Sequence, residues 1–284
     1  MRKVRQYGLP LERIRFLYQT EKRLAAILRN AAKEERTRLY TELYDEYSRI
    51  CPDRKILAVA NDEAYARQVA ETEFRSIRRY LSADMTLLEI GPGAGAFTNR
   101  VSAHVAQCIA VDVSHEVAKN RTFPDNVSYL ISNGTSIPAE TASIDFAYSN
   151  QLMEHLHPDD ARDQLQEIHR VLKPSGRYLC ITPNRLTGPH DISKFFDEVA
   201  TGFHLKEYTL GELDALMRRS GFRSVRRAML ARGVDLGEAP LAPFLLYERM
   251  IEALCQQAPP RLQHALKRNY LTRGLLQATV VAQK

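Results

Sequence analysis

The fold can be inferred from LLEIGPGAGAFT, residues 87–98. An apolar run ends at Glu89, and glycines follow at alternate positions, Gly91, Gly93 and Gly95. Glycine has no Cβ and adopts positive φ without steric cost, so a ligand can approach the backbone of this loop closely. The spacing, G-x-G-x-x-G/A counted from Gly91, is typical of a turn between a strand and a ligand-binding helix.

Short apolar runs continue on both sides of this loop and alternate with helical segments. The runs are MTLLEI, CIAVDV, VSYLI, IDFAYS and RYLCIT, and the chain closes with the β-branched segment LLQATVVAQ. Near-continuous apolar strands separated by helices indicate a parallel sheet that is covered on both faces. The sequence therefore predicts an α/β protein.

The segments outside this alternation are predicted to be helical. Residues 11–50 show apolar side chains at helical spacing and predict two helices, which we interpret as an N-terminal helical cap or lid over residues 1–60. The main domain is predicted at 61–284, with a helical insertion at about 231–270. Tyr40 and Tyr44 lie one helical turn apart in the cap, which makes them candidate substrate-binding residues.

The net charge of +6 is concentrated at the N-terminus, where residues 1–38 hold 11 Lys or Arg and 4 Asp or Glu. This segment could attract an anionic substrate, nucleic acid or a membrane surface, but a solvated helix face is the favoured interpretation. No apolar run approaches the roughly 20 residues of a membrane span, and the N-terminus lacks the features of a secretory signal. Four scattered cysteines indicate reduced thiols in a cytoplasmic protein. The oligomeric state is open.

The charge of Glu89 narrows the choice of ligand for the glycine loop. Asp112 lies 21 residues after Gly91, at the end of the next predicted strand, as in the fingerprint of dinucleotide-binding proteins. Glu89, two residues before the first glycine, would repel the pyrophosphate of NAD at short range. The same carboxylate would attract S-adenosyl-L-methionine (SAM), which carries an ammonium and a sulfonium group and no phosphate. The charge therefore favours SAM over NAD.

Four segments in register resemble a known family. LLEIGPGAGAFT, AVDVS, SIDFAYSNQLMEHL and EIHRVLKPSGRYLCITPN together look like a class I SAM-dependent methyltransferase of the small-molecule, type 11 kind. The resemblance covers residues 84–184. It implies a Rossmann-like, seven-stranded, mostly parallel sheet whose last strand is antiparallel, with SAM as the cofactor.

The resemblance also implies a set of cofactor-binding residues. The methionine part of SAM would lie on the glycine loop, close to Glu89, and Asp112 would accept both ribose hydroxyl groups. Asn133, in ISNGTSIP, replaces an aspartate found in many relatives and would accept the adenine amino group beside Gly134. Asn150 and Gln151 follow the fourth strand and would face the sulfonium and the incoming acceptor.

Two histidines are candidate catalytic bases. His155 follows the fourth strand, where the acceptor pocket of the family opens, and its ordinary pKa suits a general base. His190 is the rival, because TPNRLTGPHD, residues 182–191, overhangs the same edge of the sheet. That loop also makes Arg185 and Asp191 candidate substrate-binding residues. His155 and His157 could suggest a metal pair, but no cysteine or spaced carboxylate completes a site, so no metal is predicted.

These observations predict methyl transfer from SAM to a small or medium-sized acceptor. Oxygen is the favoured acceptor atom only because members of the family often methylate oxygen. Nucleic-acid methylation is an alternative because of the basic N-terminus. Against it, the fourth strand is followed by SNQL, which has neither the Pro-Pro-aromatic tetrad of amino-group methylases nor the Pro-Cys nucleophile of cytosine-C5 enzymes. A non-catalytic SAM-binding protein is the remaining alternative.

Overall fold

The computed structural model describes residues 3–4, 9–51, 62–116, 122–231 and 233–284. Its main sheet has eight strands: β1 Thr86–Ile90, β2 Gln107–Asp112, β3 Val127–Ile131, β4 Ile144–Asn150, β5 Leu172–Thr182, β6 Ser224–Ala231, β7 Val234–Pro240 and β8 Ala278–Gln283. The strand order is β3-β2-β1-β4-β5-β8-β6-β7. Strands β1 to β5 are parallel, and β8 runs antiparallel to β5. The Rossmann-like α/β prediction is confirmed.

The eighth strand is the difference from the seven that we predicted. Strand β7 pairs antiparallel with β6 at the edge of the sheet, so the segment expected to be a helical insertion begins with a strand. Its sequence, VDLGEAP, holds no apolar run. Its two acids are instead paired with arginines, Asp235 with Arg79 at 3.3 Å and Glu238 with Arg226 at 3.1 Å. A charged edge strand carries no apolar periodicity by which the sequence could predict it.

Helices cover both faces of the sheet. They are α1 Leu11–Asn30, α2 Lys33–Ile50, α3 Glu63–Ile77, α4 Ala96–Ser102, α5 Pro158–Val171, α6 Leu210–Arg219, α7 Ala242–Gln257, α8 Pro260–Arg268 and α9 Tyr270–Leu276. The two helices predicted at 11–50 are confirmed, and α6 begins with a capping box formed by Thr209 and Glu212. None of the described helices is both long and apolar enough to cross a membrane.

The two N-terminal helices share the core of the sheet domain. Buried apolar residues of α1 and α2, such as Leu17 and Leu43, belong to the same cluster as Leu88 of β1. The predicted division into a cap at 1–60 and a domain at 61–284 stays a prediction, because its boundary falls in 52–61, outside the described residues.

A buried ion pair joins this cap to the sheet domain. The guanidinium of Arg36 on α2 donates two hydrogen bonds to Asp160 on α5, at 2.7 and 2.8 Å, and the Tyr40 hydroxyl donates a third at 2.8 Å. Arg36 is 3 % and Asp160 1 % exposed. A buried charge is costly unless it is paired and hydrogen-bonded, so this contact fixes α2 against α5.

Candidate functional site

A cavity of about 570 Å³ lies between the sheet and the cap. Its floor is the C-terminal edge of the parallel strands, the edge at which ligands bind in open α/β sheets. Its roof is formed by α1 and α2, and its far wall by the segment 190–204. The size is within the range of about 300–1,000 Å³ that is usual for small-molecule sites.

The glycine loop forms one end of the cavity. Gly91 and Gly93 line it, with φ of 74° and 53°, a region that favours glycine. Gly95, with φ of 76°, does not line the cavity: it starts α4, and a Cβ there would clash with the ring of Phe123. Two of the three predicted glycines therefore face the cavity, and the third shapes the turn.

Asp112 lines the cavity, where its predicted role in ribose binding stays a prediction, and it holds the glycine loop. Its Oδ2 accepts a hydrogen bond from the Gly93 N–H at 3.1 Å. Its Oδ1 accepts from the N–H groups of Val113 at 2.7 Å and Ser114 at 3.0 Å. A carboxylate that accepts several backbone hydrogen bonds is stabilised in its charged form.

The acidic wall beside the loop comes from Glu73, and Glu89 does not line the cavity. Glu89 is buried and accepts a hydrogen bond from the Thr98 hydroxyl at 2.5 Å. Burial raises the pKa of Glu89 to about 8. Glu73, on α3, lines the cavity and accepts a hydrogen bond from the Asn150 amide at 2.9 Å, and burial raises its pKa to about 7. Sequence reasoning missed Glu73, because it lies outside every recognised motif.

Asn133 does not have the position that we predicted. Its amide oxygen accepts hydrogen bonds from the backbone and hydroxyl groups of Thr135 and Ser136, at 2.8 to 3.1 Å. An oxygen that serves four local donors is engaged in its own turn, and the side chain does not line the cavity. Ser132 and Gly134 line it instead. The ring of Tyr40 packs on Gly134, where an added Cβ would be 3.0 Å from Cδ2.

Asn150 and Gln151 are in the cavity wall directly after β4, where we expected them. Gln151 has φ of 57°, which is uncommon for a residue other than glycine. Its N–H donates to the carbonyl oxygen of Ile181 on β5 at 2.7 Å. This bond fixes the unusual turn that carries the chain away from the sheet.

Aromatic residues form the roof of the cavity. Tyr40, Tyr44 and Tyr47 all line it, and the role of Tyr40 and Tyr44 in substrate binding stays a prediction. Tyr44 stacks on Phe203 with ring centroids 4.7 Å apart. Its ring also meets the edge of His155 at 6.1 Å.

Both candidate bases line the cavity. His155 Nδ1 is 3.0 Å from the carbonyl oxygen of Phe203, which can only accept, so Nδ1 carries the hydrogen and Nε2 the lone pair of the neutral ring. His190 Nε2 is 3.1 Å from the carbonyl oxygen of Asn184, so there the lone pair is on Nδ1. Burial lowers the pKa of His190 and favours its neutral form. Each ring therefore has a nitrogen that can accept a proton.

The two other candidates from the 182–191 loop differ in position. Asp191 lines the cavity, but its oxygens accept backbone hydrogen bonds from Ser193 at 3.0 Å and Gly202 at 2.9 Å. Arg185 is not in the cavity wall: its guanidinium is half exposed and is 3.6 Å from Glu212 of α6. This position does not support the prediction that Arg185 binds substrate. A loop has no regular repeat, so the sequence does not show which of its side chains point into the cavity.

The ionisable side chains around the cavity are mainly carboxyl groups and histidines. Four carboxyl groups line it, those of Glu21, Glu73, Asp112 and Asp191, and of the described lining residues none is Lys or Arg. Such a site favours a ligand with positive charge and disfavours a phosphate or pyrophosphate.

The sequence comparisons identify one family. Residues 88–180 match the family model described as "Methyltransferase domain". The chain is 34 % identical over 151 residues to a probable S-adenosylmethionine-dependent methyltransferase of Mycobacterium tuberculosis, which covers 53 % of each chain. A probable S-adenosylmethionine-dependent methyltransferase of Mycolicibacterium smegmatis is 28 % identical over 187 residues, 66 % of this chain and 70 % of the relative. The chain spans about half the length of the Mycobacterium tuberculosis relative.

The fold has counterparts among solved structures. The complex of the Haloferax volcanii Trm112 methyltransferase activator with a putative methyltransferase contains a chain that superposes with a TM-score of 0.52 at 17 % identity. The match covers 81 % of this chain and 96 % of that one. At this identity the likeness concerns the fold alone.

Proposed function

Because residues 88–180 form a class I SAM-dependent methyltransferase domain of the type 11 family, we propose that the protein transfers the methyl group of SAM to a hydroxyl group of a small, uncharged acceptor. The observation that carries this proposal is the cavity, which combines four carboxyl groups with aromatic walls and, among its described lining residues, has no lysine or arginine.

The residues present fit SAM. The ammonium and sulfonium groups of its methionine part would lie by the glycine loop, where Glu73 supplies a carboxyl group and Gly91 allows close approach. Asp112 would accept the ribose hydroxyls, and the pocket at Ser132 and Gly134 would receive the adenine under Tyr40. Three backbone N–H groups already bond to Asp112, so accepting both hydroxyls requires some of those bonds to lengthen.

The chain contributes alignment, exclusion of water and a proton acceptor. SAM supplies a methyl group on an activated sulfonium, which an acceptor oxygen displaces in line. Asn150 and Gln151 would hold the reacting centres, and the roof of tyrosines would keep water out. As the oxygen–carbon bond forms and the sulfur–carbon bond breaks, the hydroxyl proton passes to a base, for which His155 is our first choice and His190 the rival.

The walls indicate the class of acceptor. Tyr44, Tyr47 and Phe203 offer apolar surface, which suits a planar or aliphatic molecule. A phosphorylated acceptor would lose its hydration next to Glu21 and Asp191 with no described lysine or arginine in the wall to replace it. A neutral hydroxyl compound avoids that cost.

Internal pairing of the basic N-terminus argues against a nucleic-acid acceptor. Arg23 pairs with Glu46 at 2.9 Å, Lys22 with Asp197 at 3.0 Å, and Arg36 with buried Asp160. The basic charge in this segment is thereby partly neutralised by the protein itself. The cysteines, all within the described residues, are buried thiols, in keeping with a cytoplasmic location.

Transfer of label from [methyl-³H]SAM tests the proposal. We expect the purified protein to label neutral hydroxyl compounds and not their phosphorylated analogues or bulk RNA, and to bind SAM but not NAD in calorimetry. His155→Gln should reduce turnover roughly 10²-fold or more and leave the SAM dissociation constant unchanged. If RNA is labelled instead, the acceptor class is wrong, and if SAM binds without any transfer, the protein is a non-catalytic SAM-binding protein.

A further inference from the structure

Three side chains at the acceptor end of the cavity are arranged like ligands of a metal ion. Glu154, His155 and His204 each offer one ligand atom, and the three atoms lie within 4.8 Å of one another. Glu154 and His155 are on a short 3₁₀ helix, Met153–His155, that follows β4, and His204 approaches from the loop before α6. His157, the partner considered from the sequence, is elsewhere: its ring accepts the Asp159 N–H at the start of α5.

Both histidines are held in the tautomer that a metal requires. His155 Nδ1 donates to the carbonyl oxygen of Phe203 at 3.0 Å, and His204 Nδ1 is 2.7 Å from Glu207 Oε1. With hydrogen on Nδ1, each ring presents the lone pair of Nε2. Histidine ligands in metalloproteins are oriented in this way by a carbonyl or carboxylate on the opposite nitrogen.

The carboxyl group of Glu154 has one engaged and one unengaged oxygen. Oε2 accepts a hydrogen bond from the Thr182 hydroxyl at 2.8 Å, whereas Oε1 has no hydrogen-bond partner among the described residues. Glu154 is fully buried, and Oε1 is 4.0 Å from His204 Nε2. A buried carboxylate oxygen with no partner is costly, and a cation between Oε1 and the two imidazoles would satisfy it.

We propose that Glu154, His155 and His204 bind one divalent transition-metal cation, such as Zn²⁺ or Mn²⁺, at the acceptor end of the cavity. Two imidazoles and one carboxylate are a ligand set that such ions accept and that Mg²⁺ and Ca²⁺ do not favour. Metal–ligand bonds of about 2.0–2.2 Å place ligand atoms roughly 3–3.5 Å apart, so the side chains close by about 1 Å on binding. His155 and His204 line the cavity, which gives the ion its path of entry.

The cation would orient the acceptor. Three protein ligands leave coordination positions open on the side of the cavity, and a hydroxyl oxygen of the acceptor can occupy one of them. Coordination lowers the pKa of a bound hydroxyl, so the proton leaves before the oxygen attacks the methyl carbon. His155 is then a ligand, and His190 is the neutral imidazole that remains to take the proton. This use of the ion rests on the proposed O-methylation, but the site itself does not.

The alternative is a buried ionic network without a metal. In that case His204 carries protons on both nitrogens and lies as a cation between Glu154 and Glu207. Such a network needs no ligand, and it leaves His155 to act as the base. The two arrangements differ in what they do with added metal.

Metal binding to the full chain, measured without acceptor or SAM, tests the proposal. After dialysis against a chelator, titration with Zn²⁺ should show one site per chain in calorimetry, and Co²⁺ should give the visible absorption of an imidazole-ligated ion. His204→Gln and Glu154→Gln should each weaken Zn²⁺ binding at least about tenfold. The matched control is His157→Asn, which keeps a capping side chain on α5 and should bind Zn²⁺ like the wild type.

Each outcome bears on the proposal. Wild-type protein that binds no Zn²⁺, Mn²⁺ or Co²⁺ overturns it, as does binding that survives both substitutions. SAM affinity and the thermal midpoint of each variant show that it is folded, so a lost site is not confused with a lost fold. If SAM binds but no metal site is found, the proposed methyl transfer stands and the metal proposal fails. If a metal binds but SAM does not, the metal proposal stands and the proposed methyl transfer fails.

Discussion

The Asp112 carboxylate accepts a hydrogen bond from the Gly93 N–H, with 3.1 Å between Oδ2 and the nitrogen. The end of β2 and the loop after β1 are therefore joined by a hydrogen bond within the protein. This carboxylate has two tasks, because it fixes the shape of the glycine loop and is also the predicted acceptor for the ribose.

Substitution of Asp112 should accordingly weaken SAM binding strongly. Asp112→Ala removes a charged acceptor and releases the loop, and we expect a loss of about 2 kcal/mol or more, near 30-fold in the dissociation constant. Calorimetry with SAM and S-adenosylhomocysteine measures it. Asp125→Ala, an exposed aspartate in the turn before β3, is the control and should change nothing. Wild-type affinity in Asp112→Ala would mean that the ribose is held elsewhere.

Asn133 should behave as a structural residue. Because its amide oxygen serves four donors of its own turn, Asn133→Ala should cost about 1 kcal/mol of folding stability and change SAM affinity much less than Asp112→Ala does. Asn133→Asp keeps the acceptor and should restore the stability. Chemical unfolding and calorimetry on the same samples separate the two effects. A large loss of SAM affinity without a loss of folding stability would instead support the predicted role of Asn133 in cofactor binding.

The affinity for SAM should rise with pH between about 6 and 7.5. Burial raises the pKa of Glu73 to about 7 and that of Glu89 to about 8, so both carboxyl groups are largely protonated below these values. A cationic ligand favours the ionised form, so binding below these pKa values releases protons and strengthens as pH increases. The same burial makes the ionised form costly in the folded protein, so the contribution of these groups to folding stability falls as pH rises from about 4.5 to 8.

Calorimetry in buffers of different ionisation enthalpy counts the released protons. Glu73→Gln should reduce the proton release and flatten the pH dependence, and Glu89→Gln should do so to a smaller extent because Glu89 is behind the wall. Measurements stay below pH 7.5, where the α-amino group of SAM keeps its charge. An affinity that is independent of pH, or that falls as pH rises, would show that these carboxyl groups do not sense the ligand.

Arg36 should be far more important for stability than its exposed neighbour. Arg36→Ala leaves Asp160 buried without its cation, and we expect a loss of about 3–5 kcal/mol in the free energy of unfolding. Arg38, two residues away on α2, pairs with Glu42 at the surface, and Arg38→Ala should cost less than about 0.5 kcal/mol. Urea unfolding compares the two. Equal losses would mean that the buried pair does not hold the cap to the sheet domain.

Much of the fold could be predicted from the sequence because its signals are local. The apolar runs predicted five parallel strands and a last strand, and the family resemblance predicted that this last strand is antiparallel. Strand β7 was not predicted because its acids pair with arginines elsewhere in the chain, Asp235 with Arg79 and Glu238 with Arg177 and Arg226.

The site was predictable only where a motif fixes the backbone. The glycine loop, Asp112 and the residues after β4 were located in this way, since each follows directly from the end of a strand. Glu73 and His204 reach the cavity from a helix and a loop, and the direction of Arg185 depends on Glu212 of another helix. Such contacts arise from tertiary packing, so no spacing of residues in the sequence predicts them.

The joint between Arg36 and Asp160 has a consequence for protein engineering. Apart from Tyr40, the surfaces assigned to SAM come from the sheet edge and from Glu73 of α3, whereas Tyr44 and Tyr47, at the acceptor end, come from α2. Grafting a different pair of N-terminal helices that keeps Tyr40 would thus change selectivity for the acceptor without altering the surfaces that hold the cofactor. A successful graft must supply its own arginine and tyrosine for Asp160, or else be accompanied by an apolar replacement at that position.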